Sequence, residues 1–142
     1  TSVRSDYSDA ASTGFRRIAS YIFGGNSASM SIEMTAPVLT NTPDPEDIYE
    51  IQFVMPSEHS MEDLPQPNSQ NVTLKKVNLG KTAVMRFGGW ATKDRASYYQ
   101  NKLSDLLAAN GYTVHGTFMV AQYNSPWAIP PFRKNEIIVQ IK

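Results

Sequence analysis

Apolar residues recur at helical spacing in two stretches of the chain. The first runs from residue 5 to residue 26 and reads "SDYSDAASTGFRRIASYIFGGN". Its apolar positions fall four, three and four residues apart, at Ala11, Phe15, Ile18 and Ile22. This spacing puts the side chains on one face, so we predict an amphipathic helix that buries it. Ser5 or Ser8 is expected to cap the helix, and Gly24 with Gly25 to end it.

A second helix is predicted over residues 92–111, "TKDRASYYQNKLSDLLAANG". Its apolar stripe consists of Tyr99, Leu103, Leu106 and Leu107. Thr92 is the expected N-cap, because its hydroxyl can accept a hydrogen bond from a backbone N–H of the first turn. Asn110 and Gly111 are typical of a helix end.

Alternating or β-branched apolar residues mark other segments as strands. The predicted strands cover residues 31–39, 48–55, 72–78, 81–88, 113–123 and 135–141. Residues 56–71 contain Pro65 and Pro67 among mostly polar side chains, which predicts a loop. Two helices are too few to cover both faces of a parallel sheet. We therefore predict an α+β fold with an antiparallel sheet and helices on one face.

The two halves of the chain repeat one order of elements. The first helix is followed by "EMTAPVLT", a loop and "YEIQFVM", and the second by "VAQYNSPW", a loop and "NEIIVQI". Pro37 and Pro126 occupy equivalent places, which indicates an internal duplication and a strand break or bulge at Pro37. The duplication also predicts that the first unit is truncated and lacks its opening strand. Val3 and Arg4 would be its stub, and a cleaved peptide, a partner chain or a second copy would cover the adjacent edge.

Composition narrows the classes of function. The 142 residues are enough for one domain with its own core, and we interpret residues 1–142 as a single domain. The 13 basic and 13 acidic side chains cancel and form no charged run, so nothing indicates nucleic-acid binding. No apolar stretch is long enough for a transmembrane helix. The absence of cysteine excludes disulfides, thiolate metal sites and cysteine nucleophiles.

Six blocks of the sequence resemble the signature of a known family. They are "GFRRIASYIFGGN", "IEMTAPV", "FVMP", "RFGGWA", "AQYNSPW" and "RKNEIIV", and together they extend over nearly the whole chain. In these blocks the chain resembles the SOUL haem-binding protein family, and the wording of "YIFGGN" and "PPFRKNE" is similar to plant and algal members. The resemblance implies two pseudo-symmetric β-α-β-β units that form a distorted, barrel-like antiparallel sheet with two helices. It also implies a non-catalytic carrier, buffer or sensor of haem or another tetrapyrrole, located in the chloroplast or the cytoplasm.

The resemblance also places the tetrapyrrole in a shallow apolar groove, along the first helix and near the loop after "YNSPW". The apolar residues at these places are Phe15, Ala19, Trp127, Ile129 and Phe132. Haem propionates attract cations, and Arg16 and Arg133 are the expected ones, with Arg17 and Lys134 beside them in sequence. From the residues alone, Phe15 fits the helix core equally well, and the arginines fit a solvated surface.

His59 and His115 are the histidines that could ligate haem iron. Neither lies in a signature block and their spacing matches no metal site, so we expect weak haem binding or binding without a histidine ligand. Glu50 and Glu136 open equivalent predicted strands and could act as general acid and base. Their symmetry favours a structural role, because catalytic pairs need different environments.

Two further functions stay open at this point. The apolar loop at residues 125–133 is also typical of an interface, so the chain could be an interaction subunit that docks a partner protein there. An enzyme that processes tetrapyrroles is the third possibility, although no nucleophile or phosphate-binding pattern supports it.

Overall fold

The computed structural model describes residues 1–41, 47–124 and 132–142. The chain divides into two compact units, of which the first comprises Thr1–Val38 with Pro43–Val77 and the second Leu39–Thr42 with Asn78–Lys142. The described residues hold two helices and six strands of antiparallel sheet, which confirms the α+β class. In chain order the elements are β1 (Ser2–Arg4), α1 (Tyr7–Ile22), β2 (Val38–Asn41), β3 (Ile48–Phe53), β4 (Thr82–Gly88), α2 (Lys93–Ala109), β5 (Val114–Gln122) and β6 (Lys134–Ile141).

The element order repeats as strand, helix, strand, strand, in agreement with the predicted duplication. Equivalence of the two halves in space stays a prediction. Val3 and Arg4 do belong to a strand, with Val3 opposite Tyr49 of β3. Among the described strands, β1 pairs only with β3 and β4 only with β6, so the barrel-like closure is not seen.

In the first unit, α1 packs on β3 through a stripe of small, aliphatic and aromatic residues. The buried positions are Ala10, Gly14, Ile18, Tyr21 and Ile22. Gly14 permits the closest approach, because a Cβ there would lie 2.6 Å from Cγ1 of Ile51. The predicted apolar face was wrong at Phe15, which is 37% exposed at the rim because the helix faces β3 through Gly14.

The helix ends follow capping chemistry. Asp6, rather than either predicted serine, caps α1, and its carboxylate accepts a 2.9 Å hydrogen bond from the backbone N–H of Asp9. A carboxylate suits this position because it also lies at the positive end of the helix dipole. Thr92 caps α2 as predicted. Gly24 and Gly111, with φ of +113° and +77°, follow the two helix ends as expected.

In the second unit the strand order is β2-β5-β6-β4, and β6 pairs antiparallel with both β5 and β4. Helix α2 packs on β4, β5 and β6. Its Leu103 and Leu107 enter a core with Val120 and Ile137. Leu106 was predicted in the same stripe but is 48% exposed, because the buried face of α2 runs through Ala96, Leu103 and Leu107, with Tyr99 partly buried.

Two predicted strands were wrong. Residues 31–36 form only an isolated bridge at Ser31, and β2 begins directly after Pro37. The proline therefore precedes the strand instead of interrupting it. Residues 72–78 also form no strand, although Val72 and Leu74 pack against a core cluster of the first unit. The alternating apolar residues of this segment are therefore explained by burial, because the segment pairs with no strand among the described residues.

Candidate functional site

An apolar strip lies on the outer side of α1 in the first unit. Phe15, Ala19 and Phe23 fall four residues apart, so they follow one another along the helix surface over about 12 Å. Phe15 is 37% exposed, Phe23 is 67% exposed, and Ala19 is partly buried. These three residues are called the α1 flank below.

Phe15 joins the α1 flank to the core of the first unit. Its ring centroid lies 5.5 Å from that of Phe53, at an interplanar angle of 57°. Phe53 packs against two buried clusters of this unit. A ring supported from behind in this way keeps its outer face apolar and in place, which suits contact with a flat conjugated ligand.

Arg16 is the cation that α1 leaves in solvent beside the flank. Among the described residues, its one hydrogen bond is a long 3.5 Å contact to Oγ1 of Thr13. Arg17 instead donates to the carbonyl oxygen of Ser2 at 3.1 Å, which ties α1 to β1. Of the two neighbouring arginines, Arg16 is thus the one available to an anionic ligand.

The second unit carries an open groove of about 730 Å³ at the ends of β4, β5 and β6. Its charged and polar lining includes Arg86, Tyr123, Asn124, Arg133, Lys134 and Glu136. Its lining thus includes two exposed cationic residues, Arg86 and Lys134, one carboxylate residue, Glu136, and the buried Arg133. It is called the basic groove below.

The carboxylate of the basic groove is held by two neighbours. Oε1 of Glu136 accepts from Nε of Arg86 at 3.3 Å, and Oε2 accepts from the hydroxyl of Tyr123 at 2.6 Å. Burial, followed by the hydrogen bond to Glu136, raises the pKa of Tyr123 to about 12. Tyr123 therefore stays protonated at neutral pH and donates its hydroxyl hydrogen to Glu136.

Arg133 lies in the second unit, only 8% exposed, with its guanidinium carbon 4.0 Å from the ring centroid of Trp90. Phe132, the preceding residue, is 69% exposed. The first unit holds the other described members of the predicted site, Phe15, Arg16 and Ala19. Trp127 and Ile129 lie outside the described residues.

The two histidines lie in different units. His59 is in the loop of the first unit, with Nε2 3.8 Å from a carboxylate oxygen of Glu58. His115 is exposed on β5 of the second unit, beside a shift of the β5–β6 register. Within the described ranges, no group of three or more metal-ligating side chains comes together.

Glu50 has a structural environment in the first unit. Its carboxylate accepts from Nζ of Lys75 at 3.0 and 3.1 Å and from Nε2 of Gln52 at 2.5 Å. Partial burial works to raise the pKa of Glu50, but the hydrogen bonds from Lys75 and Gln52 outweigh it and hold that pKa below its usual value. A carboxylate that stays ionised in this way makes a poor general acid, which favours the structural role.

Several residues of these two surfaces were not predicted from the sequence. Phe23 could have been found, because it continues the four-residue spacing of Phe15 and Ala19. Arg86 and Trp90 could not, because their partners Glu136 and Arg133 are distant in sequence.

None of the helices in the described part of the chain is both long and apolar enough to span a membrane.

Comparison with known proteins gives consistent matches. The family model described as SOUL heme-binding protein matches residues 1–140. Heme-binding protein 2 of Homo sapiens is 32% identical over 133 residues, which cover 89% of this chain and 64% of the human protein. Heme-binding protein 2 of Mus musculus is 28% identical over 138 residues, which cover 93% of this chain and 66% of the mouse protein. The chain thus spans just under two thirds of the length of these two relatives.

Proposed function

The chain belongs to the SOUL heme-binding protein family, and from this premise we propose that it binds haem or a related porphyrin as a carrier, buffer or sensor. The family points to binding rather than catalysis. The observation that carries the proposal is the α1 flank, an apolar strip with phenylalanine rings 37% and 67% exposed. A porphyrin is a flat apolar ring with two carboxylates, and this surface offers it apolar contact with a cation alongside.

Apolar contact supplies most of the proposed affinity. Full burial of a phenylalanine side chain is worth about 1.5–3 kcal/mol, and Phe15 and Phe23 are partly covered already. Arg16 adds a propionate contact that is exposed and therefore worth about 1 kcal/mol or less. Phe132 and Arg133 of the second unit, and Trp127 and Ile129, belong to the proposed contact set through the family resemblance.

Iron ligation by histidine is not part of the proposal. Titration with hemin, followed at the Soret band, is expected to give a saturable shift in the unaltered protein. His59→Ala, His115→Ala and the double variant should keep the same bound spectrum and an affinity within about twofold, because neither side chain lies on the α1 flank. A collapse of the bound spectrum in either single variant would identify that histidine as the ligand and overturn this part of the proposal.

The remaining parts of the proposal rest on sequence resemblance. The plant or algal type, and a location in the chloroplast or cytoplasm, follow from the wording of the signature blocks. Docking of a partner protein through residues 125–133 falls largely outside the described residues. We retain it as an alternative, which co-purification of a stoichiometric partner and its loss in Trp127→Ala would support.

A further inference from the structure

We propose that the basic groove is a binding site for a carboxylate or phosphate group. The second unit binds this anion even when no haem is present. The proposal does not depend on haem binding by the α1 flank. It rests on the charges of the groove, on the way its side chains are held, and on the space of about 730 Å³ that they enclose.

The charge in the groove is unbalanced. Even with the buried Arg133 left out of the count, the cations Arg86 and Lys134 line the groove beside one carboxylate, Glu136, in a chain whose net charge is zero. Both oxygens of Glu136 already accept hydrogen bonds from Arg86 and Tyr123. Glu136 therefore neutralises part of the charge on Arg86, and the positive potential that remains favours an anion.

The strands hold the charged side chains in position. Arg86 of β4 lies directly opposite Glu136 of β6, so the sheet register itself brings them together. Arg133 is stacked on the ring of Trp90, which restricts its rotation. The backbone N–H of Lys134 donates to the side-chain oxygen of Asn124, which fixes the end of β6 where the lysine begins. Folding therefore already positions Nε of Arg86, the guanidinium of Arg133 and the backbone of Lys134 before an anion arrives.

Lys134 and the outer part of Arg86 are the groups expected to contact the anion. Lys134 is exposed, and no carboxylate within the described ranges lies within ion-pair distance of its ammonium. Arg86 uses Nε for Glu136, and its side chain is 88% exposed, so its two terminal nitrogens stay accessible to a ligand. An ammonium beside a planar guanidinium matches the oxygens of a carboxylate or phosphate.

The test uses nuclear magnetic resonance of the full chain with succinate and with inorganic phosphate, at constant ionic strength and with chloride as the reference salt. We expect saturable shifts of the backbone amides of residues 86–88 and 133–136. Lys134→Gln should weaken binding by about tenfold, the value of one charge-assisted hydrogen bond. Lys93→Gln, at another exposed lysine at the start of α2, serves as the matched control and should bind as the unaltered chain does. Glu136→Gln removes the opposing charge and should bind the anion more tightly.

Two outcomes would overturn the proposal: shifts no larger than those with chloride, or equal binding by Lys134→Gln and the unaltered chain. A haem titration separates the sources of the anion. If Lys134→Gln loses succinate but keeps the affinity of the unaltered chain for hemin, the groove takes a free small anion. If Lys134→Gln binds hemin more weakly but hemin dimethyl ester equally well, the groove takes the propionates of the bound ligand.

Discussion

Replacing Asn26 with alanine is expected to lower the free energy of unfolding by about 3 kcal/mol. Asn26 is 2% exposed and closes the turn after α1 with four hydrogen bonds. Its Nδ2 donates to the carbonyl oxygens of Tyr21 and Met30 at 2.9 and 2.8 Å. Its Oδ1 accepts from the backbone N–H groups of Ala28 and Met30 at 3.2 and 2.9 Å. Alanine would leave these four backbone groups without their side-chain partner, at hydrogen bonds that are buried or part-buried.

Urea unfolding followed by circular dichroism measures this loss. Asn71→Ala, at an exposed asparagine of the same unit, is the control and should stay within about 0.5 kcal/mol of the unaltered chain. Asn26→Asp keeps the acceptor but loses both donors, and it introduces a charge at a buried position. It should be destabilised at least as much as Asn26→Ala. A loss below about 1 kcal/mol in both Asn26 variants would show that the network contributes little.

Gly14→Ala is expected to destabilise the chain by about 2 kcal/mol, although alanine is the better helix former. A Cβ at residue 14 would lie 2.6 to 2.8 Å from three side-chain atoms of Ile51, which is 1% exposed and has no room to move. Helix α1 would have to shift away from β3. Phe15, the next residue, would shift with it.

Helix propensity alone predicts that Gly14→Ala stabilises the chain. A measured change in stability therefore distinguishes the effect of propensity from that of the close contact with Ile51. Ser12→Ala, at an exposed position of the same helix, should leave stability unchanged or raise it by a few tenths of a kcal/mol. Thermal and urea unfolding of the two variants give the comparison. A Gly14→Ala chain as stable as the unaltered one would mean that α1 does not pack on β3 as closely as described.

The case of Phe15 shows where sequence reasoning succeeds and where it stops. Periodicity identified both helices and most of the strands, because burial along an element follows its geometry. It assigned Phe15 to the buried face because a large apolar residue fits the pattern better than a glycine. In the structure, the contact at Gly14 turns the helix so that Phe15 lies at the rim. The close approach of a helix backbone to a side chain of another element cannot be predicted from the spacing of residues along one helix.

Contacts between residues that are distant along the chain could likewise not be predicted from the sequence. Val72 and Leu74 alternate as a strand would, and they are covered by the core, but they have no ladder partner among the described strands. Glu50 and Glu136 were predicted to have structural roles, and their hydrogen-bond partners Lys75 and Arg86 lie 25 and 50 residues away. The symmetry of the two positions favoured that role, whereas the hydrogen bonds that support it could not be predicted from the sequence.

The central claim is that haem binds through the α1 flank, and the most direct measurement compares hemin affinity in two flank variants and one control. Phe15→Asp and Phe23→Asp each remove apolar contact and place a negative charge near the propionates. Tyr98→Asp makes the same change at an aromatic residue of α2 that is 60% exposed. Soret titration should show hemin binding weakened by about tenfold or more in both flank variants and unchanged in Tyr98→Asp. Unchanged affinity in both flank variants, with circular dichroism confirming that they are folded, would contradict the account.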